Sequence, residues 1–292
     1  MTPSNRRAPW FFLSPYLLLT LIFFIYPFLN AIILAFHQTN GPKSRAFVGW
    51  RNFIFVLSDS DFHTAFWNTT IYALASICVQ LPLSLGFAML LNAKKDNLKG
   101  IFRLILFSPH LVGQVFVGII FALLFMPRHG LFNRFLQGLI FWGLDQEWLS
   151  NPALVMPALI IVSMWMYVGF NMIYFLAALQ NVDQELTEAA MIDGANAWHR
   201  FWTVTVPAIK PVAVFVVIMS TIGSYQLFEM PYSMLRGYGP KNAGLTIVGY
   251  LYRTAFETGD LGTGAAIGWV LALIIFTFSM AQMAIARGTE ID

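Results

Sequence analysis

Apolar residues run in long stretches along this chain, and polar residues collect in the intervals between them. A helix needs roughly 20 apolar residues to cross a bilayer. Six stretches meet that length: Trp10–Phe36, Phe66–Leu91, Ile101–Phe125, Ala153–Leu179, Val206–Phe228 and Gly264–Ile285. The pattern predicts an all-α membrane protein with six transmembrane helices. A shorter apolar run, Leu131–Leu144, is broken by Gly138 and Gly143 and reads as a helix lying in the interface. Between the fourth and fifth spans lies one polar block that is rich in small, helix-forming residues. Asp183 is placed to cap it, and Glu185 and Glu188 fall in its early turns, where the helix dipole favours anions. Ala190, Gly194 and Ala197 follow at i, i+4, i+7 and make a smooth stripe, while Gly194 also permits a turn between two short helices. Pro207 and Pro211 are expected to end the block and start the next span with a fixed bend. The block is too small to be a domain, and it suits a docking surface.

Composition narrows the class. Of 292 residues, 58% are hydrophobic and 11% charged, against about 25% charged in soluble proteins. Mean hydropathy is +0.67. The net charge of +3 does not point to nucleic acid, because the basic residues scatter at span ends as membrane insertion requires. Arg6 and Arg7 precede the first span, and Lys94, Lys95, Lys99 and Arg103 crowd the second-to-third connection. With six spans, these and the polar block share one side, which is read as the cytoplasm together with both termini. The first apolar run is too long for a signal peptide, and no small-residue cleavage site follows it, so a retained span is expected. Cys78 is the one cysteine and reads as a small packed side chain. The five histidines are dispersed, with no metal-ligand spacing. No Gly-Lys dipeptide occurs, so the phosphate-cradling Gly-x-x-x-x-Gly-Lys-Ser/Thr motif is absent. Gly264-x-x-x-Gly268 reads as a helix-packing face.

The spans are nearly free of charge, which argues against a carrier coupled through midplane carboxylates. The fourth and fifth spans instead carry Ser163, Trp165, Tyr167, Phe170, Asn171, Ser224, Tyr225 and Gln226. Tyr167, Phe170 and Asn171 lie at i, i+3, i+4 on one helix face. Aromatic faces stack on sugar rings and amides hydrogen-bond hydroxyls, so this lining suits a neutral polar solute. The other reading is that these residues pack the bundle or mark its interfaces. Glu229 is either a satisfied interfacial carboxylate or a hydroxyl acceptor at the mouth of a path.

The polar block Glu188-Ala189-Ala190-Met191-Ile192-Asp193-Gly194-Ala195, followed by Phe201, Pro207 and Pro211, resembles the "EAA" loop of ABC importer permeases. Phe47-Val48-Gly49-Trp50-Arg51-Asn52-Phe53, Asn68-Thr69, Phe102-Arg103, Phe107-Ser108-Pro109, Gly130-Leu131-Phe132-Asn133, Phe228-Glu229 and Ala265-Ala266-Ile267 extend the likeness over nearly the whole chain. Within the family the likeness is to the maltose- and lactose-type first permease subunit. The outer loop departs from it, reading Arg236-Gly237-Tyr238-Gly239-Pro240 where the family has Thr and Gly-Gly-Pro. The resemblance implies a single transmembrane permease domain over residues 1–292, of the type I importer kind, with a cytoplasmic coupling loop at about 184–206. It implies that Glu188, Ala189, Ala190, Asp193, Gly194, Ala195 and Ala197 couple to an ATPase. It implies a substrate path through Ser163, Tyr167, Phe170 and Tyr225, to which the polar character of Asn171, Gln226 and Glu229 adds those three as expected path residues. The expected partners are a homologous second permease, an ATPase dimer and an extracytoplasmic solute-binding protein. ATP and Mg would sit on the partner subunits, with no cofactor on this chain, which itself would be no enzyme. The expected place is a bacterial or archaeal cytoplasmic membrane. The expected function is import of a sugar or oligosaccharide by alternating access. The alternatives are a secondary carrier or facilitator for a polar solute, or a permease for glycerol phosphate, whose charges would want a cationic path that is not evident here.

Overall fold

The computed structural model describes residues 8–39, 45–93, 98–140 and 146–288. Five helices in it are long and apolar enough to cross a membrane: α1 (Trp10–Ala35), α3 (Ser60–Ala93), α7 (Pro152–Gln180), α9 (Ala197–Tyr225) and α12 (Leu261–Gly288). The expected third span is not one rod. It is a pair, α4 (Lys99–Leu111) and α5 (Gln114–Leu124), bent by 97°, and counting the pair as one span gives six. The chain breaks there because Pro109 sits in a 3₁₀ turn, Ser108–Leu111, and Val112 and Gly113 are extended. Pro109 has no N–H to continue an α ladder. Lys94 and Lys95 of the basic cluster lie outside the described residues.

Three wide π-type turns have a cause legible in the sequence. Leu21–Ile25, Ser76–Gln80 and Phe201–Thr205 each stop two residues before a proline: Pro27, Pro82 and Pro207. Proline removes an i→i−4 bond and pushes its ring at the carbonyl of residue i−4. That carbonyl falls inside the wide turn each time, so one i→i+5 turn takes up the conflict and the helix continues. Pro207 and Pro211 therefore do not end the polar block. Helix runs unbroken from Ala197 to Tyr225, and the second half of the block is the first part of α9.

The chain gathers into two compact units. One comprises the residues up to Asp59 together with Leu251–Ala272. In it, α1 leads to the antiparallel pair β1 (His37–Thr39) and β2 (Arg45–Phe47), with His37 opposite Phe47, and then to α2 (Arg51–Ser58). The buried Asn52 amide donates to the carbonyls of Ala35 and His37, both at 2.9 Å, and so holds the end of α1 beside α2. Thr39 Oγ1 accepts from the Gly262 N–H at 3.0 Å. Asp260 caps the start of α12 by accepting from Thr263 N (3.1 Å) and Thr263 Oγ1 (2.7 Å). A Cβ on Gly262 would overlap the His37 carbonyl, so this approach requires glycine.

The second unit comprises Ser60–Tyr250 and the chain from Leu273 onward. Its centre is α7, and two buried clusters form around that helix. One joins Val117 and Phe121 of α5, Val155, Leu159 and Val162 of α7, and Met230 and Met234 of α10 (Glu229–Leu235). The other joins Leu81, Ala88 and Leu91 of α3, Met172 and Phe175 of α7, and Ile209 and Val216 of α9. Small residues let backbones meet. A Cβ on Gly169 would overlap the Leu106 carbonyl of α4, and one on Gly118 would overlap Ser233 Oγ of α10. The segment after α10 is pinned to α3. Asn68 donates to the carbonyls of Asn242 and Leu245 at 3.0 Å, and Thr69 Oγ1 accepts from the N–H of Ile247, which opens α11 (Ile247–Tyr252), at 3.1 Å. The expected interfacial helix is α6 (Leu131–Ile140), with Leu131 and Phe135 exposed and Asn133 buried. Asn133 accepts from Trp148 Nε1 at 2.7 Å, and the far end of the expected range lies outside the described residues. Cys78 corrects its reading. It is exposed on the outer side of α3 and is not packed inside.

Candidate functional site

The second unit encloses a cavity of about 440 Å3. Four helices supply most of its lining, and Val248 of α11 adds to it. From α3 come Tyr72, Ser76 and Gln80; from α5, Gln114; from α7, Tyr167, Phe170, Asn171 and Tyr174. From α9 come Phe215, Met219 and Gly223 at i, i+4, i+8, with Ser220 and Ser224 beside them. The chain just beyond α9 adds Gln226, Leu227, Phe228 and Glu229. Among the described residues that line it, Glu229 alone carries a charge.

One wall is a run of rings. Phe170 stacks on His110 with centroids 4.0 Å apart and planes within 23°, and it meets Tyr174 edge-on at 5.3 Å. Tyr174 continues to Phe215 at 5.8 Å. Uncharged polar groups share the lining. Ser76 and Ser220 hydroxyls share a hydrogen bond of 2.7 Å between α3 and α9, and Gln114 hydrogen-bonds the Tyr167 hydroxyl. Aromatic faces together with uncharged donors and acceptors match a solute with C–H faces and hydroxyl edges.

Of the expected path residues, Tyr167, Phe170, Asn171, Gln226 and Glu229 line this one cavity. Ser163 and Tyr225 do not. Ser163 is buried one turn before Tyr167, where its hydroxyl donates to the Ile160 carbonyl at 2.8 Å and reaches Gln80 Oε1 at 3.4 Å. It thus braces a lining residue from behind. Tyr225 is 2% exposed, stacks on Phe278 of α12 at 5.4 Å and shares a hydrogen bond with Thr70 at 3.0 Å. Its ring turns from the cavity because α9 presents the Met219–Gly223 face there, and position 225 falls on the α12 side. The α3 and α5 contributors were not singled out from sequence. Gln80 and Gln114 are the signal that could have found them, since an amide within an apolar span demands a polar partner or a polar space.

The docking segment is two helices and a turn. α8 (Gln184–Ile192) begins at Asp183, whose side chain accepts from Glu185 N at 2.9 Å, as its sequence position suggested. It ends in a Schellman motif, with Ala195 N bonded to the Ala190 carbonyl and Gly194 N to the Met191 carbonyl. Gly194 takes φ +81°, and Asn196 then caps α9 by accepting from His199 N at 2.8 Å. The turn divides the predicted stripe, so Ala190 and Ala197 lie on different helices. Glu188, Ala189, Asp193, Gly194 and Ala197 are exposed, and Ala190 and Ala195 are half-buried. Sequence reasoning passed over the apolar residues here. Ile192 is 87% exposed and Trp198 70%, with Leu186 and Met191 also outward.

A family model described as "Binding-protein-dependent transport system inner membrane component" matches residues 80–289, which contain the docking segment and all of the cavity lining except Tyr72 and Ser76. The chain belongs to this family. It is thus a multi-pass inner-membrane permease subunit, not an enzyme. Its relatives match over nearly the whole of this chain. The arabinooligosaccharides transport system permease protein AraP of Bacillus subtilis (strain 168) is 39% identical over 281 residues, covering 96% of this chain and 88% of that protein. The lactose transport system permease protein LacF of Rhizobium radiobacter is 34% identical over 280 residues, covering 95% and 93%. A chain in the crystal structure of a bacterial ABC transporter involved in the import of the acidic polysaccharide alginate superposes with a TM-score of 0.83 at 22% identity, over 96% of this chain and 95% of that one. That last likeness establishes the permease fold.

Proposed function

We propose that this permease is the membrane-spanning subunit of an ABC importer for a neutral sugar or oligosaccharide. The observation that carries the reading is the cavity. It has aromatic faces on α7, uncharged hydrogen-bonding groups on α3, α5 and α9, and a single carboxylate, Glu229. The ring wall would cover the apolar face of a sugar, and Gln80, Gln114, Asn171 and Gln226 would bond its hydroxyls. Relatives named for arabinooligosaccharides and lactose support this substrate class.

In the proposed assembly, α8 and the Gly194 turn face the cytoplasm with both termini, and the exposed Leu186, Met191 and Ile192 seat in an ATPase groove. Glu188 and Asp193 edge that seat. Two ATPase subunits hold the ATP and Mg, a second permease completes the pore, and an extracytoplasmic binding protein delivers the sugar. Closure of the ATPases on ATP would carry α8 and the rigidly continuous α9 together. Because α9 supplies one cavity wall, movement at the docking segment would reach Phe215 and Met219 without a flexible link. Coupling of this kind is a free-energy linkage between two sites.

The test is ATPase activity of the reconstituted assembly with its binding protein. The probes are arabinotriose, lactose, maltose and diacetylchitobiose, with an alginate oligosaccharide as the acidic comparison. Stimulation by at least one neutral sugar is expected. Stimulation by the acidic oligosaccharide alone, or sugar uptake that proceeds without ATP, would refute the reading.

A further inference from the structure

The bend of the third span leaves one ring outside the cavity but against its wall. His110 stands in the Ser108–Leu111 turn where α4 breaks. Its imidazole lies 4.0 Å from the Phe170 ring and nearly parallel to it, and 5.5 Å from that of Tyr167. Both partners line the cavity, and His110 does not. The break is clamped to α7 one residue before Phe170, because Gly169 admits the Leu106 backbone where a Cβ could not fit. His110 Nδ1 is buried and has no hydrogen-bond partner among the described residues. A buried polar atom left unbonded carries a desolvation cost, so the imidazole is not held there through Nδ1. What the position does use is the ring face.

We infer that His110 is a positioning residue: stacked behind Phe170, it fixes that ring against the cavity and so sets the aromatic wall on which substrate rests. The inference rests on the proposed function in taking the cavity as the substrate path. The 97° bend then has a use, since a straight third span would carry position 110 onward along the helix axis and not into this seat. Without a ring at position 110, Phe170 can swing back over the turn and uncover the neighbouring Asn171.

The experiment uses the assembled transporter in a Cys78→Ala background and reads the labelling rate by a small methanethiosulfonate reagent. Asn171→Cys reports the wall beside Phe170. Gly223→Cys reports the α9 wall, where an added Cβ meets nothing within 4 Å. His110→Ala should raise labelling at position 171 by about two- to tenfold, the range expected for losing one aromatic pair. Position 223 should stay unchanged, and His110→Phe should restore the original rate. His110→Leu, which keeps bulk without a ring, should behave as Ala does and stands in for it if the Ala variant does not accumulate. An unchanged rate at 171, an equal rise at 223, or a His110→Phe that behaves as Ala overturns the assignment. Arabinotriose uptake separates the two readings. A raised KM with unchanged maximal rate in His110→Ala supports both. Altered labelling with unaltered uptake leaves the positioning intact and overturns the cavity as sugar path.

Discussion

Phe170 is gripped on one face by His110 and at its edge by Tyr174, and it still lines the cavity. Truncation there removes a stacking surface while the bundle around it keeps its own contacts. Phe170→Ala should therefore weaken sugar transport by about ten- to more than a hundredfold, taking base stacking on aromatics of about 1–3 kcal/mol as the analogue. Assembly and basal ATPase should persist. Tyr225→Ala should behave in the opposite way. It removes a fully buried ring seated on Phe278 and bonded to Thr70, so the expected loss is stability, about 3 kcal/mol by the cost of emptying a core aromatic site. Thermal unfolding of the purified subunit, set beside sugar uptake, checks the pair. A stable Tyr225→Ala with impaired uptake would put its ring in the path after all. The i, i+3, i+4 spacing of Tyr167, Phe170 and Asn171 announced a shared face on α7, but nothing local to position 225 reveals which neighbour of α9 it meets.

The turn at Gly194 joins two helices that cannot be one, because the residue there holds φ +81°. A side chain in that conformation costs about 1 kcal/mol or more. Gly194→Val should reorient α8 against α9 and lower both ATPase co-purification and uptake, with the spans still inserted. Ile192→Asp should lower co-purification without disturbing the turn, since the side chain is 87% exposed and bonded to nothing that shapes the loop. Normal co-purification by both would remove α8 from the docking role. At this scale the sequence was legible where chemistry is local. Asp183 as cap, Gly194 as turn and the apolar lengths of the spans all follow from neighbouring residues. It was less legible where two local signals compete. Pro207 reads as a stop, yet the wide turn at Phe201–Thr205 lets α9 pass through it. Pro109 has the same chemistry but breaks the third span, because the extended Val112 and Gly113 follow it where the chain after Pro207 stays helical. Hydrophobic length is blind to direction, so Ile101–Phe125 counted as one span despite its 97° corner.

Over the whole molecule, the second unit ties a docking segment to a cavity through one continuous helix, α9. The apolar exterior of the spans is legible from composition, because lipid asks only for hydrophobicity. The cavity is not, because Gln80, Ser76, Gln114 and Phe170 come from three helices whose juxtaposition is a tertiary fact. The central claim is that this cavity is where a neutral sugar rests during import. Its most direct test is the structure of the assembled transporter trapped with ATP closed on its ATPases and the best-stimulating neutral sugar present. The account predicts sugar density against Phe170 and Tyr167, within hydrogen-bond reach of Gln80, Gln114 or Asn171. Sugar density elsewhere in the membrane region, with this cavity filled by side chains, would contradict it.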